Sequence, residues 1–147
     1  MKPLFTAKVK AQHGRAGHVR SDDGVLDHNI VMPNAKKDGE TGTNPEQLFA
    51  AGYAACFGGA LEQVAKKQGV EIESEVEGHV SLLKDESDGG FKLGVKLIVS
   101  AKGLDHDKAK ELVEAAHEFC PYSKATRGNI EVELEVAESR KEKRAKI

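Results

Sequence analysis

The 147-residue chain has no tryptophan, two tyrosines and five phenylalanines, so its core must rest on valine, leucine, isoleucine and alanine. Neither sign of charge is in marked excess, with 22 basic against 24 acidic residues. That balance leaves no basic footprint for nucleic acid and no polybasic or strongly acidic surface. A small molecule is the more natural partner. No stretch approaches the ~18 apolar residues of a membrane span, and Met1-Lys2-Pro3-Leu4-Phe5 holds no run long enough for a secretion signal. The expectation is a cytoplasmic protein with no membrane partner. Cysteine occurs only twice, at Cys56 and Cys120. In a reducing compartment structural disulfides are rare, so the pair reads as catalytic, redox-active or metal-binding. Two cysteines cannot supply the four ligands of a structural zinc site. The six histidines (His13, His18, His28, His79, His106, His117) show no companion ligand spacing, so no metal is expected.

What is present fits one globular domain, at 39% hydrophobic and 31% charged residues. Residues 4–11 alternate as a strand does, until Gly14-Arg15-Ala16-Gly17 breaks the pattern. Residues 18–21 and 27–31 are short strands around the Asp23-Gly24 turn, and 32–42 read as a surface loop. A helix starts at Thr43-Asn44-Pro45-Glu46, either with Asn44 as cap and Pro45 in the first position or with Thr43 and Glu46 as a capping box. It runs to a Gly69 stop. Gly52, Gly58 and Gly59 inside it each cost about 1 kcal/mol relative to alanine, which predicts a central buried helix packed closely against another backbone. Residues 72–83 and 91–101 alternate around a hairpin loop, 105–119 carry an apolar stripe of Ala109, Leu112, Val113, Ala116 and Phe119, and 130–136 alternate strictly. The order βββ-α-ββ-α-β predicts an α+β fold with mainly antiparallel sheet. The domain covers 1–137, followed by a charged tail at 138–147.

The two cysteines sit in different settings. Cys56 lies in the small-residue run Ala50-Ala51-Gly52-Tyr53-Ala54-Ala55-Cys56-Phe57-Gly58-Gly59-Ala60. There it reads equally as a small buried hydrophobe or as a nucleophile that must borrow its activation, because a mid-helix thiol lacks the N-terminal dipole. Cys120 ends a helix before Pro121 and is followed by polar Ser123, Lys124 and Thr126, which places it near a surface or cleft or leaves it a plain helix-end residue. Arg15, between glycines, is either solvent-facing or close to a ligand. Glu46 is either a first-turn carboxylate favoured by the helix dipole or part of a site.

Thr43-Asn44-Pro45-Glu46-Gln47-Leu48-Phe49-Ala50-Ala51-Gly52-Tyr53-Ala54-Ala55-Cys56-Phe57 resembles the first-cysteine motif of the organic hydroperoxide resistance proteins, a branch of the OsmC-like family. Cys120-Pro121-Tyr122-Ser123-Lys124-Ala125-Thr126-Arg127-Gly128-Asn129 resembles that branch's second-cysteine motif, and the likeness covers residues 4 to about 136. The resemblance implies an OsmC-like fold in an intertwined homodimer and a thiol peroxidase for organic hydroperoxides. It implies that Cys56 is the peroxidatic and Cys120 the resolving cysteine, joined in an intrachain disulfide during turnover. Arg15 and Glu46 would be the polar partners, and Phe49, Tyr53, Phe57 and Phe119 the apolar pocket. No bound cofactor is implied; the reductant would be an external dithiol, a lipoylated protein or dihydrolipoamide.

Helix geometry adds one expectation. Ten residues between Glu46 and Cys56 span about 15 Å on an unbroken helix, so the site is expected to be composite. Arg15 and Glu46 of one subunit would face Cys56 and Cys120 of the other, with the Gly/Ala-rich face at a two-fold axis. The rival readings are an OsmC-type enzyme of broader peroxide preference and a non-enzymatic redox switch using the same disulfide.

Overall fold

Short alternating segments punctuated by glycine can only make short strands, and the N-terminal part of the chain consists of them. In the computed structural model, which describes residues 1–137, the backbone forms two compact units, Met1–Leu48 and the chain from Phe49 onward. The charged tail expected at 138–147 lies outside the described residues.

The first unit holds the antiparallel sheet β1 (Val9–Gln12), β2 (His18–Ser21) and β3 (Asp27–Asn29), in that order. The strand expected from residue 4 begins only at Val9, because its partner β2 offers four residues for pairing, from Val9 opposite Ser21 to Gln12 opposite His18. Leu4 and Phe5 pair with no strand among the described residues and are exposed. Past β3, Ile30 bridges Thr43 in parallel and is buried.

Helix α1 (Pro45–Lys67) starts as its sequence dictates. The Asn44 side-chain oxygen accepts from the Gln47 N–H at 2.8 Å, so Asn44 is the cap. The capping-box alternative is not what forms, since Thr43 Oγ1 donates to Gln47 Oε1 at 2.7 Å and the Glu46 carboxylate is paired with Arg15. Gly69, at φ 71°, ends the segment in the left-handed region.

In the second unit, β4 (Glu73–Asp85) and β5 (Gly90–Lys102) form a thirteen-residue antiparallel hairpin. Its loop is organised by Asp85, whose carboxylate accepts from the Ser87 N–H and hydroxyl, and by Asp88, which accepts from the Gly90 N–H. Helix α2 (His106–Phe119) is capped by Asp105, which accepts from the Lys108 N–H at 2.9 Å. A short helix, α3 (Pro121–Thr126), follows at once, and β6 (Val132–Val136) then joins β5 in parallel. Helix α3 is absent from the sequence expectation because Pro121 looks like a stop signal. It is instead the first residue of a new helix, where its missing N–H costs nothing.

Tyr53, Phe57 and Leu61 of α1, Val95, Leu97 and Val99 of β5, and Leu112, Val113 and Ala116 of α2 make one buried cluster, with Cys120 inside it. Each such aliphatic side chain contributes about 1.5–3 kcal/mol by leaving water. Two expectations change. The α2 stripe is buried through Ala116, but Phe119 is 44% exposed, with Lys67 Nζ 5.8 Å from its ring centre. The stripe is continued by Cys120, four residues after Ala116 and bonded through its N–H to the Ala116 carbonyl, and not by Phe119. Helix α1, expected to be central and packed closely against another backbone, buries one face within the chain. Ala51, Ala55 and Gly59, spaced four apart on the other face, are exposed in the chain.

Candidate active site

Two clusters contain the chemistry-bearing residues, one in each unit. In the first, β1 and β2 are joined by a tight turn in which His13 (φ 61°) and Gly14 (φ 57°) adopt left-handed backbone and Gly14–Ala16 form a single 3-10 turn. Gly17 closes it so tightly that a Cβ there would collide with the Gln12 carbonyl oxygen. The turn presents Arg15 as a fork toward Glu46, on the first turn of α1. Nη1 donates to Oε1 at 3.2 Å and Nη2 donates to Oε2 at 3.1 Å. Nη1 also lies 3.5 Å from Met32 Sδ. The bidentate pair holds the Glu46 carboxyl below its ordinary value and raises Arg15 further, chiefly through the hydrogen bonds themselves. Glu46 is mostly covered, while the Arg15 side chain remains 47% exposed. Its planar cation is therefore held in orientation yet accessible.

In the second cluster both cysteines are free thiols, with the Cys120 sulfur 3.6 Å from the Cys56 sulfur. That is a thiol–thiol contact, about 1.5 Å longer than a disulfide bond. The burial of the two runs opposite to the sequence expectation. Cys120 is completely buried, whereas Cys56 is partly exposed. The reason is α3, which turns the chain inward after Cys120, so that Ser123 and Thr126 are buried as well. Desolvation pushes the Cys56 thiol up; the Tyr122 backbone N–H opposes this, and the neighbouring Cys120 adds to the rise. Cys56 is thus the accessible sulfur but is not activated by its immediate surroundings.

The four aromatic candidates separate. Tyr53 and Phe57 are fully buried in the core. Phe49 is half-buried and edge-on to Tyr53 (6.2 Å between ring centres) and to Tyr122 (6.0 Å), and Phe119 stands apart under Lys67. Sequence reasoning missed Tyr122. Its ring lies 5.4 Å from that of Tyr53, and its hydroxyl sits where a Cβ on Gly52 would be. Gly52, one helical turn before Cys56, is the signal that was available: a glycine there admits a bulky neighbour. Also missed were Met32 and His117, and the hydrogen bonds that join the Tyr53 hydroxyl to Ser123 and Thr126 and Ser123 to His117.

Among the described residues no group of three or more His, Cys, Asp or Glu side chains gathers in a way that could hold a metal ion. No helix there is long and apolar enough to cross a membrane.

A family profile described as OsmC-like protein matches residues 37–135. The organic hydroperoxide resistance protein OhrB of Bacillus subtilis is 77% identical over 133 residues, covering 90% of this chain and 98% of the relative. The paralogue OhrA of the same organism is 56% identical over 139 residues, covering 93% and 99%. The crystal structure of B. subtilis OhrB superposes with a TM-score of 0.89 at 74% identity, covering 92% of this chain and all of that one. Profile, relatives and fold agree: the chain belongs to the OsmC-like family, in its organic hydroperoxide resistance branch.

Proposed function

We propose that the protein is a thiol peroxidase that reduces organic hydroperoxides to alcohols in the cytoplasm, as an oxidative-stress defence carried by residues 1–137. The observation that supports this most directly is a partly exposed thiol and a buried thiol 3.6 Å apart, in a chain 77% identical to a protein named for organic hydroperoxide resistance.

The Cys56 thiolate attacks the distal peroxide oxygen, the O–O bond breaks, and the alkoxide leaves as alcohol by taking up the proton that the Cys56 thiol released on ionising. Cys56 is then a sulfenic acid. Cys120 attacks its sulfur, the S–O bond breaks, and water leaves with the Cys120 proton, giving the Cys56–Cys120 disulfide. An external dithiol, lipoylated protein or dihydrolipoamide, reduces it by exchange. The roles follow access: the peroxide must reach a sulfur, and Cys56 is the one with exposed surface. Of the four aromatic candidates, Phe49 offers an apolar wall for the alkyl group, Tyr53 and Phe57 back it from the core, and Phe119 adds exposed apolar surface.

Arg15 supplies what Cys56 lacks, a cation that favours the thiolate and polarises the peroxide, and Glu46 orients it. Because Glu46 and Cys56 lie on one continuous helix with about 15 Å between them, the reading assigns Arg15 and Glu46 of one subunit to Cys56 and Cys120 of the other in a homodimer. The exposed Ala51, Ala55 and Gly59 row is the surface on which two such helices approach.

Peroxide consumption by wild type, Cys56→Ser and Cys120→Ser with a dithiol supplied tests the assignment. Cys56→Ser should abolish turnover. Cys120→Ser should allow one oxidation and accumulate sulfenic or more oxidised Cys56. Equal activity in all three proteins would refute the roles.

A further inference from the structure

Ser123 is buried, and its hydroxyl has two side-chain partners. Tyr53 Oη lies 2.8 Å from Ser123 Oγ, and His117 Nδ1 lies 2.8 Å from the same oxygen. Thr126 Oγ1 completes the group at 3.2 Å from Tyr53 Oη, and donates to the Ser123 carbonyl. The placement of these residues relative to the two sulfurs is regular. His117 is three residues before Cys120, Ser123 three after it, and Tyr53 three before Cys56. The His117–Ser123 bond therefore closes the corner between α2 and α3 with Cys120 at its apex, and the Tyr53–Ser123 bond ties that corner to the helix carrying Cys56. The Arg127 guanidinium donates to the His117 carbonyl at 3.0 Å, a second strap across the corner.

The core does not need these polar groups for its apolar burial, and a phenylalanine and an alanine would fill the same space. What they add is direction. Cys120 sits in extended backbone between two helices (φ −66°, ψ 127°), with its N–H given to the Ala116 carbonyl and its own carbonyl accepting from Lys124. Its sulfur must still travel about 1.5 Å to bond Cys56. A corner held from both sides and tied to α1 restricts that travel to the productive direction.

We propose that Ser123 and His117, tied to α1 through the Tyr53 hydroxyl, form a positioning network for the resolving thiol, which sets the rate at which the Cys56–Cys120 disulfide closes, while the attack on peroxide does not depend on Ser123 or His117. The proposal rests on the peroxidase reading for its biological meaning, but the closure it describes is measurable without it. Neutral imidazole suits the network, and burial together with the Arg127 guanidinium holds the His117 value down. Both hydrogen-bond orders are then available: Tyr53 to Ser123 to Nδ1, or Nδ1–H to Ser123 to Tyr53 to Thr126.

The test separates the two chemical steps. Reduced wild type, Ser123→Ala, Ser123→Thr and His117→Ala are mixed with cumene hydroperoxide and quenched over time. Sulfenic acid at Cys56 is trapped with dimedone, the disulfide is quantified by non-reducing mass analysis, and melting temperatures are recorded alongside. Ser123→Ala should form sulfenic acid at the wild-type rate and close the disulfide about tenfold more slowly, the scale of one buried hydrogen bond. Under excess peroxide it should also accumulate sulfinic acid at Cys56. Ser123→Thr, which keeps the hydroxyl, should restore most of the closure rate, and His117→Ala, which cuts the outer bond alone, should fall between the two. An unchanged closure rate in Ser123→Ala overturns the proposal. So does an equal slowing of both steps with a lowered melting temperature, because the network is then only structural. A parallel series with diamide, which takes up the two thiol protons and two electrons, reads closure alone. Wild type that closes with diamide yet never reacts with hydroperoxide would sink the peroxidase reading, while the same comparison of variants still decides the positioning role.

Discussion

At the scale of the residue, the chemistry turns on one thiol that its own surroundings hold in the neutral form. Burial raises Cys56 and the Tyr122 N–H only partly opposes it. The thiolate is the reactive species, so alkylation of Cys56 should speed up as pH rises through its elevated value. In Arg15→Ala the midpoint of that alkylation profile should move higher still, with folding intact by circular dichroism; an unmoved midpoint would return Arg15 to a structural role. Gly52 makes a second residue-scale prediction. Alanine there gains about 1 kcal/mol of helix propensity but occupies the space of the Tyr122 hydroxyl. Gly52→Ala should therefore melt no earlier than wild type while displacing Tyr122, and Cys56 should be alkylated faster. A destabilised protein with unchanged thiol reactivity would contradict it.

At the scale of the element, the segments that present functional groups are held by side-chain locks. Asn44 fixes the start of α1 and hence the Glu46 turn. Asn44→Ala should cost about 1 kcal/mol in denaturant unfolding and loosen the Arg15–Glu46 pair, seen as a lowered rate of Cys56 oxidation. Strands β2 and β3 are locked by His18, whose ring is held by Asp27 on one nitrogen and by Asn29 at 2.8 Å on the other. Chiefly through the bond to Asp27, and then that to Asn29, the His18 value is raised in the folded chain. A raised value means that the lock is fully present below the unfolded histidine value of about 6.5 and is lost as pH rises through the higher folded one. Amide protection in β2 and β3, taken relative to the intrinsic base-catalysed rate, should fall across that window, and Asp27→Asn should flatten the response. Protection that stays constant with pH in wild type would rule out the lock.

The whole molecule raises the question of completeness. In the unit Met1–Leu48 Ile30 is the one buried hydrophobic side chain, while Leu4, Phe5, Val9 and Val25 are exposed. So small a buried interior does not sustain forty-eight residues alone; on the proposed reading a second copy adds cover. Mixed dimers of Arg15→Ala and Cys56→Ser subunits test the shared site. If Arg15 serves the partner's Cys56, each mixed dimer contains one intact site, so turnover returns to about half of wild type per mixed dimer, or about a quarter in an equimolar statistical mixture. No recovery in verified heterodimers would mean that each chain completes its own site.

The sequence by itself determined the α+β class, the element order apart from α3 and the cap at Asp105, and it narrowed the start of α1 to Asn44 or a capping box of Thr43 and Glu46. These are legible because periodicity, capping and motif spacing are local. It did not disclose that α3 begins at Pro121, that Cys120 is the buried sulfur and Cys56 the accessible one, or that Tyr122 fills the space Gly52 leaves. Nor did it disclose that Phe119 faces outward. Each of those depends on which surfaces meet after the chain turns a corner at residue 120, and a proline or a polar run reads the same in sequence whether the chain there turns toward solvent or into the core. The opening at Gly52 and the inward turn of α3 exist only once α1, α2 and the sheet are packed, and that packing decided which of the two thiols keeps exposed surface.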